Sequence, residues 1–206
     1  CEVYLDDIIA YAATEEGLVN NLREIFTRLR KFNVTLNPRK CKFGMAEVEY
    51  VGHVIDAEGK HFSAQKIQQV MDFPRPHKIK QLRSFLGLIN YFRTHIQGHA
   101  SIVQPLVDLV TSTGRGAANL PNRIFRHTPL VWNTEAEEAF RKAKEAINNC
   151  PRLFFLRSDA PVILRTDASD RGIGASLTQL IGDIEYPIAF VSAMFSGAQR
   201  NWSTIE

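Results

Sequence analysis

Apolar and polar positions along this chain switch between a period of two and a period near 3.6, and each switch marks an element. Val3 and the run Ile8-Ile9-Ala10 flank Tyr4-Leu5-Asp6-Asp7, which predicts a β-hairpin with a polar tip. Thr14 can cap a helix that opens with Glu15 and Glu16 and closes with Arg28, Arg30 and Lys31. Within it Leu18, Leu22, Ile25, Phe26, Leu29 and Phe32 recur at helical spacing, the stripe of a helix that covers a sheet. From Phe43 to Phe62 the period drops to two, with Val48, Tyr50, Gly52 and Val54 on one face, Val51, His53 and Ile55 on the other, and a turn at Asp56-Ala57-Glu58-Gly59.

Ser63 caps a short helix carrying Ile67, Val70 and Met71, which Pro74 and Pro76 end. A longer helix runs from about Ile79 to Ile96. Its buried stripe is Leu82, Phe85, Leu86, Ile89 and Phe92, while Lys80, Arg83, Gly87, Asn90 and Thr94 share another face. Residues 111–122 are rich in small and turn-forming residues and read as a flexible linker and domain boundary. Thr134 and Glu137 predict a capping box on a helix through Phe140, Ala143 and Ile147 that stops at Cys150-Pro151. Strand patterns occupy 162–166, 172–180 and 187–192, and a helical pattern begins at Gln199.

Composition narrows the class without naming a function. The 206 residues suffice for one good core or two modest ones, and no apolar run is long enough to span a membrane. Cys1, Cys41 and Cys150 lack metal-ligand spacing and imply a reducing, intracellular setting. The chain opens without an initiator Met and closes inside a helical pattern, so both ends read as cut. The net charge of +3 is unevenly spread. Residues 1–16 carry Glu2, Asp6, Asp7, Glu15 and Glu16 with no basic residue, whereas residues 60–95 carry Lys60, Lys66, Arg75, Lys78, Lys80, Arg83 and Arg93 against Asp72. An acidic site and a basic arm suit an enzyme that holds metal in one place and phosphate backbone in another; a solvated charged surface has the same composition.

Three features carry candidate chemistry. Adjacent carboxylates at Asp6 and Asp7 repel each other, a cost that a hard, oxygen-ligated cation removes, although a plain polar turn also uses such residues. Gly87 sits inside a helix at a cost of about 1 kcal/mol relative to Ala, explained either by a nucleic-acid backbone lying against it or by close packing of another helix. The strand at 162–166 delivers Asp167 near its end.

In order and spacing, Tyr4-Leu5-Asp6-Asp7, Leu36-Asn37-Pro38 with Lys40-Cys41-Lys42-Phe43, Val51-Gly52-His53, the run from Phe85 to Arg93, Trp132, Thr166-Asp167-Ala168-Ser169, Gly172-Ile173-Gly174-Ala175 and Ser203-Thr204-Ile205-Glu206 resemble the reverse transcriptase and RNase H of Gypsy-type long-terminal-repeat retrotransposons, over nearly the whole chain. The resemblance implies an α+β chain. It runs from the end of a polymerase palm of β-hairpins plus a helix (1–62) through a helical thumb (63–110), the linker (111–122) and a connecting helical segment (123–160) to the first strands of an RNase H-like domain (161–206).

The same resemblance implies an RNA-directed DNA polymerase with RNase H activity. Asp6 and Asp7 would be metal-binding catalytic residues of the first centre, Asp167 and Glu206 of the second, each with two Mg2+ ions, or Mn2+ in their place. Tyr4, Leu5, Gly52, His53, Lys80, Arg83, Gly87 and Asn90 would contact an RNA/DNA template–primer duplex, and deoxynucleoside triphosphates would be substrates of the intact enzyme. The setting implied is the cytoplasm or the element's particle. The family's remaining carboxylates fall before Cys1 and after Glu206, so the chain is expected to be inactive alone. A departure from the family lies near Gln199, where an acidic residue is usual, and another at Gly17, often a His. A non-catalytic remnant that binds nucleic acid, or a mere interaction fragment, is the alternative.

Overall fold

A computed structural model describes residues 1–115 and 127–202, which fall into two compact units, Cys1–Glu58 and Gly59–Glu206. In the first unit, strands β1 (Glu2–Tyr4) and β2 (Asp7–Ile9) pair antiparallel with Tyr4 opposite Asp7, so Leu5 and Asp6 form a two-residue turn. Helix α1 (Glu15–Lys31) starts as its sequence requires, the Thr14 hydroxyl oxygen accepting the Gly17 N–H at 3.1 Å. Its apolar stripe is a correction to the expected core. Leu18, Leu22, Ile25 and Leu29 are half-buried and Phe26 and Phe32 exposed, because strands of three residues offer a seventeen-residue helix little to lie on.

Strands β3 (Val48–Tyr50) and β4 (His53–Ile55) form the second hairpin. Val51 and Gly52 both have positive φ, +48° and +74°, the geometry of a type I′ turn whose twist matches that of the strands. This turn takes both residues out of the alternation. Tyr50 and His53 therefore sit directly opposite each other, on the face of Val48 and Ile55, and Val54 lies with Glu49 on the other; the expected facing of Val54, His53 and Ile55 is corrected accordingly. The expected turn at Asp56 is present, its carboxylate accepting the Glu58 N–H at 2.9 Å.

The second unit opens with β5 (Gly59–Phe62), which pairs with β6 (Leu153–Phe154) so closely that a Cβ at Gly59 would strike the Leu153 carbonyl. β5 thus belongs to a sheet completed by a strand some ninety residues later in the chain, about the distance from Gly59 to Leu153. Ser63 caps α2 (Ala64–Met71), accepting the Lys66 N–H at 3.3 Å. Helix α3 (Ile79–Asn90) is shorter than its pattern predicts: the chain tightens into a 3-10 turn at Arg93–His95 that drives Phe92, His95 and Ile96 inward. Helix α4 (His99–Arg115) contains Pro105 and runs through residues 111–115, so that part of the expected linker is helix; residues 116–122 lie outside the described residues. Helix α5 (Thr134–Asn148) is capped one residue before expectation, Asn133 accepting the Ala136 N–H at 2.8 Å in place of Thr134.

The core of this unit gathers Phe62, Val70, Leu82, Phe85, Ile89, Phe92, Leu106, Ala139, Ala143 and Ile147. Phe85 meets Phe140 of α5 at 4.5 Å and Phe73 at 5.2 Å, and Phe62 meets Phe92 at 4.2 Å. Polar bonds fix the start of α5: Trp132 Nε1 donates to the Pro76 carbonyl at 2.8 Å, and Arg75 lies 4.7 Å over the Trp132 ring while pairing with Glu137. Lys144 Nζ donates to the Met71 and Phe73 carbonyls, at 2.8 and 2.7 Å, binding α5 to the end of α2.

Strands β7 (Val162–Ser169), β8 (Gly172–Ile181) and β9 (Ile184–Met194) make an antiparallel meander, with a bulge at Leu177/Thr178. Arg165 and Glu185 pair across it at 2.5 Å, and Thr178 donates to the same carboxylate at 3.1 Å. β9 packs on α4, where the Ala100 N–H donates to Ser192 Oγ at 2.9 Å. Ile163, Ile188 and Phe190 are half-buried, while Leu164, Ile173 and Val191 stay exposed on the opposite face.

His99, the first residue of α4, is buried, and burial holds its imidazole below its ordinary value of 6.5 against the opposing hydrogen bond it donates to the Ile89 backbone, with the Arg93 charge acting in the same direction as burial. A neutral folded imidazole and a protonating unfolded one make stability fall as the pH drops below about 6.5. Urea unfolding between pH 7.5 and 5 is expected to show that loss, and His99→Asn to flatten it. A slope identical in the variant would remove His99 as the cause.

Candidate metal and nucleic-acid sites

The β1–β2 turn holds two carboxylates on strained, exposed backbone. Leu5 has a φ of +52°, in a region that costs an L-residue about 1–2 kcal/mol, and is 84% exposed. Asp6 follows it at the turn, and Asp7 is the first residue of β2, cross-strand from Tyr4 and on the same face. Glu2 and Ile9 share that face, and the Tyr11 hydroxyl donates to Glu2 at 3.3 Å while Asn21 Nδ2 holds the Tyr11 carbonyl at 2.9 Å, which ties the hairpin to α1. The Tyr50 phenol is raised above its ordinary 10.0 by partial desolvation and then by the charges of Glu2 and Asp7, so β3 lies within electrostatic reach of the carboxylate hairpin. Gly52 and His53 are carried at the tip of that second hairpin, where Gly52 serves the tight bend and the His53 ring lies 3.3 Å from the Val51 carbonyl.

In the second unit α3 presents Lys80, Arg83, Gly87 and Asn90 to solvent, opposite its buried Ile79, Leu82, Phe85 and Ile89. A Cβ at Gly87 would meet nothing within 4 Å, so close helix packing is not its explanation among the described residues. Thr94, expected on the same strip, sits beyond the helix end, half-buried beside His95 Nδ1 at 3.3 Å.

Asp167 is exposed on β7, directly opposite Gly174 of β8. Glu206, its expected partner, lies outside the described residues, as do Ser203, Thr204 and Ile205. Among the described residues no three His, Cys, Asp or Glu side chains come together as a metal cage. The donors present are carboxylate oxygens, the chemistry that Mg2+ prefers. Sequence reasoning missed the left-handed Leu5 and Val51, since nothing in Leu-Asp or Val-Gly marks the first residue as the strained one. Tyr50 carried no signal either, as its nearness to Asp7 is a matter of how two hairpins pack.

The chain matches two families of known sequences: "Reverse transcriptase (RNA-dependent DNA polymerase)" over residues 1–55, and "RNase H-like domain found in reverse transcriptase" over residues 132–206. It is 32% identical, over its full length, to 20% of the Retrovirus-related Pol polyprotein from transposon opus of Drosophila melanogaster. Another relative, the Transposon Tf2-3 polyprotein of Schizosaccharomyces pombe, is 29% identical across 97% of this chain and 14% of its own length. The chain thus spans about a fifth or less of these relatives. Its fold is similar to that of the foamy viral protease-reverse transcriptase in complex with an RNA/DNA hybrid, at a TM-score of 0.74, 20% identity, 99% of this chain and 26% of that one. A form of the same viral protein with double-stranded DNA gives 0.76 at 20% identity, over 99% of this chain and 34% of that one.

Strain at Leu5 has a measurable sign. Leu5→Gly is expected to stabilise the β1–β2 hairpin by about 1 kcal/mol, since glycine takes a positive φ without a Cβ clash. Slower hydrogen exchange at the strand amides would show it; faster exchange would mean that the Leu5 side chain holds the turn.

Proposed function

This chain belongs to the reverse transcriptase and RNase H family of Gypsy-type retrotransposon Pol polyproteins, and on that premise we propose that it supplies a duplex-gripping helix and part of each of two carboxylate metal sites. The observation that carries this reading is the exposed strip of α3. A helix-interior glycine costs about 1 kcal/mol relative to alanine, and no packing within the described residues accounts for Gly87. Lys80 two turns and Arg83 one turn before it, with Asn90 a turn after, supply charge and an amide on the same exposed face. A phosphate backbone lying against a smooth, basic surface explains all four residues together.

In this reading residues 1–62 are palm, 63–110 thumb and 161–206 the start of the RNase H-like part, with 111–122 and 123–160 joining the last two. Asp6, with Asp7 supporting the site, would hold a divalent cation, Mg2+ or Mn2+, near the primer terminus, beside which Tyr4 and Leu5 would pack. Gly52 and His53, on the neighbouring hairpin, support the primer strand. Asp167 and Glu206 would be ligands of the second site. Bound cations supply charge neutralisation at the phosphates of an incoming deoxynucleoside triphosphate and at the RNA phosphodiester to be cleaved. The template–primer is an RNA/DNA duplex, and the setting is the cytoplasm or the element's particle. Because neither carboxylate site reaches three ligands among the described residues, full activity is assigned to the whole polyprotein.

Two outcomes test this. Affinity for an RNA/DNA hybrid, measured by anisotropy across a salt series, is expected to fall with a log–log slope that Lys80→Ala and Arg83→Ala each lower by about 1, and Gly87→Leu is expected to weaken binding without lowering stability. An unchanged slope in both variants removes α3 from the footprint. The 206-residue chain by itself is expected to incorporate no nucleotide and cleave no hybrid. Mg2+-dependent incorporation that vanishes in Asp6→Asn would show that it already holds a complete centre.

A further inference from the structure

Gly174 stands out among the glycines of the second unit's sheet because the fold gives it no reason to be glycine. At Gly172 a Cβ would strike the Ala193 carbonyl, so close strand approach excludes any side chain there. Gly182 has a φ of +63°, at the β8–β9 turn. Gly174 has neither constraint: its φ is not positive, the bulge of the sheet lies at Leu177/Thr178, and among the described residues a Cβ would meet only the Val191 carbonyl, at 4.0 Å. A glycine inside a strand weakens it, and where no bulge or bend explains the residue it admits close approach of a ligand or of another backbone; among the described residues no backbone comes that close.

Its neighbours say which ligand. Directly opposed residues of an antiparallel pair share a face, so Asp167, Gly174 and Ser192 form one row across β7, β8 and β9. Asp167 is exposed at one end of that row. Ser192, at the other, has its hydroxyl engaged by the Ala100 N–H. The missing side chain of Gly174 therefore leaves an open floor beside a carboxylate, closed on its far side by the start of α4.

We infer that Gly174 is a positioning residue: its bare backbone keeps room beside Asp167 for the hydration shell of a divalent cation and the phosphodiester oxygen that exchanges into that shell. The inference rests on the reading of Asp167 as a metal ligand. A divalent cation bound through one or two carboxylates keeps several waters, and those need volume on the carboxylate's own face of the sheet. Alanine at 174 intrudes slightly on that volume. Leucine fills it.

The experiment uses the full chain and Mn2+ as the probe, read by paramagnetic broadening of backbone amide signals, with thermal unfolding in parallel. In the parent, Mn2+ is expected to broaden the signals of Asp167 and Gly174, and Asp167→Asn to abolish this. Gly174→Leu is expected to weaken the apparent affinity about tenfold and Gly174→Ala about threefold, while Gly174→Ala melts at or above the parent temperature. If Gly174→Leu fails to fold, the alanine variant decides alone. Parent-like affinity in the folded variants overturns the role of Gly174 and leaves Asp167 as a ligand. No broadening in the parent overturns the metal reading of Asp167, and the inference falls with it.

Discussion

The second unit depends on the burial of Phe85. This ring is wholly buried on α3 and touches Phe140 of α5 and Phe73 after α2, so three segments are held by one side chain. A helix has only one rotational freedom about its axis, and burying Phe85 with Leu82 and Ile89 removes it. The solvent-facing strip of Lys80, Arg83, Gly87 and Asn90 is the geometrical complement of that burial. Trp132, Arg75 and Glu137 reinforce it by fixing the start of α5, and Lys144 does so from the other end by satisfying carbonyls at the close of α2. Function in such an element is set from behind.

The hairpins of the first unit follow a different logic, in which the proposed site residues lie at the point of highest local cost. Leu5 and Val51 occupy the left-handed region at the tips of β1–β2 and β3–β4. For a β-branched residue such as Val51 this conformation is an outlier that neighbouring structure has to impose. Both tips carry residues expected to meet substrate, Asp6 and Asp7 at one and Gly52 and His53 at the other. A rigid, slightly strained tip presents its groups with less freedom than a relaxed loop.

Much of this was legible in the chain because periodicity, caps and turn chemistry agree locally. Thr14, Ser63, the stripe of α3, the strand patterns of β7 to β9 and the Asp56 turn all took the structures their residues dictate. The failures share a cause. The end of α3, the extent of α4 into the expected linker, the cap of α5 and the facing of His53 each depend on where a regular pattern stops, and a stopping point is chosen by packing or by one turn residue. For the same reason Asp6, Asp7 and Asp167 could be put forward as candidates by type and context, whereas the open space that a Cβ at Gly87 or Gly174 would meet among the described residues is a property that no spacing encodes.

The two faces of the β7–β9 meander lead unequal lives. One is tied to α4 through Ser192; the other leaves Leu164, Ile173 and Val191 open to water at 64, 50 and 61% exposure, and among the described residues β7 pairs on one side only. Apolar area next to unsatisfied strand hydrogen-bonding groups is attractive to itself, and that attraction grows with the number of molecules in solution. For the isolated chain, colloidal behaviour is therefore a property separate from fold stability. A preparation that melts well above room temperature would still coalesce on concentration, and an added charge on the outward face of Leu164 would extend its lifetime in solution without raising its melting temperature.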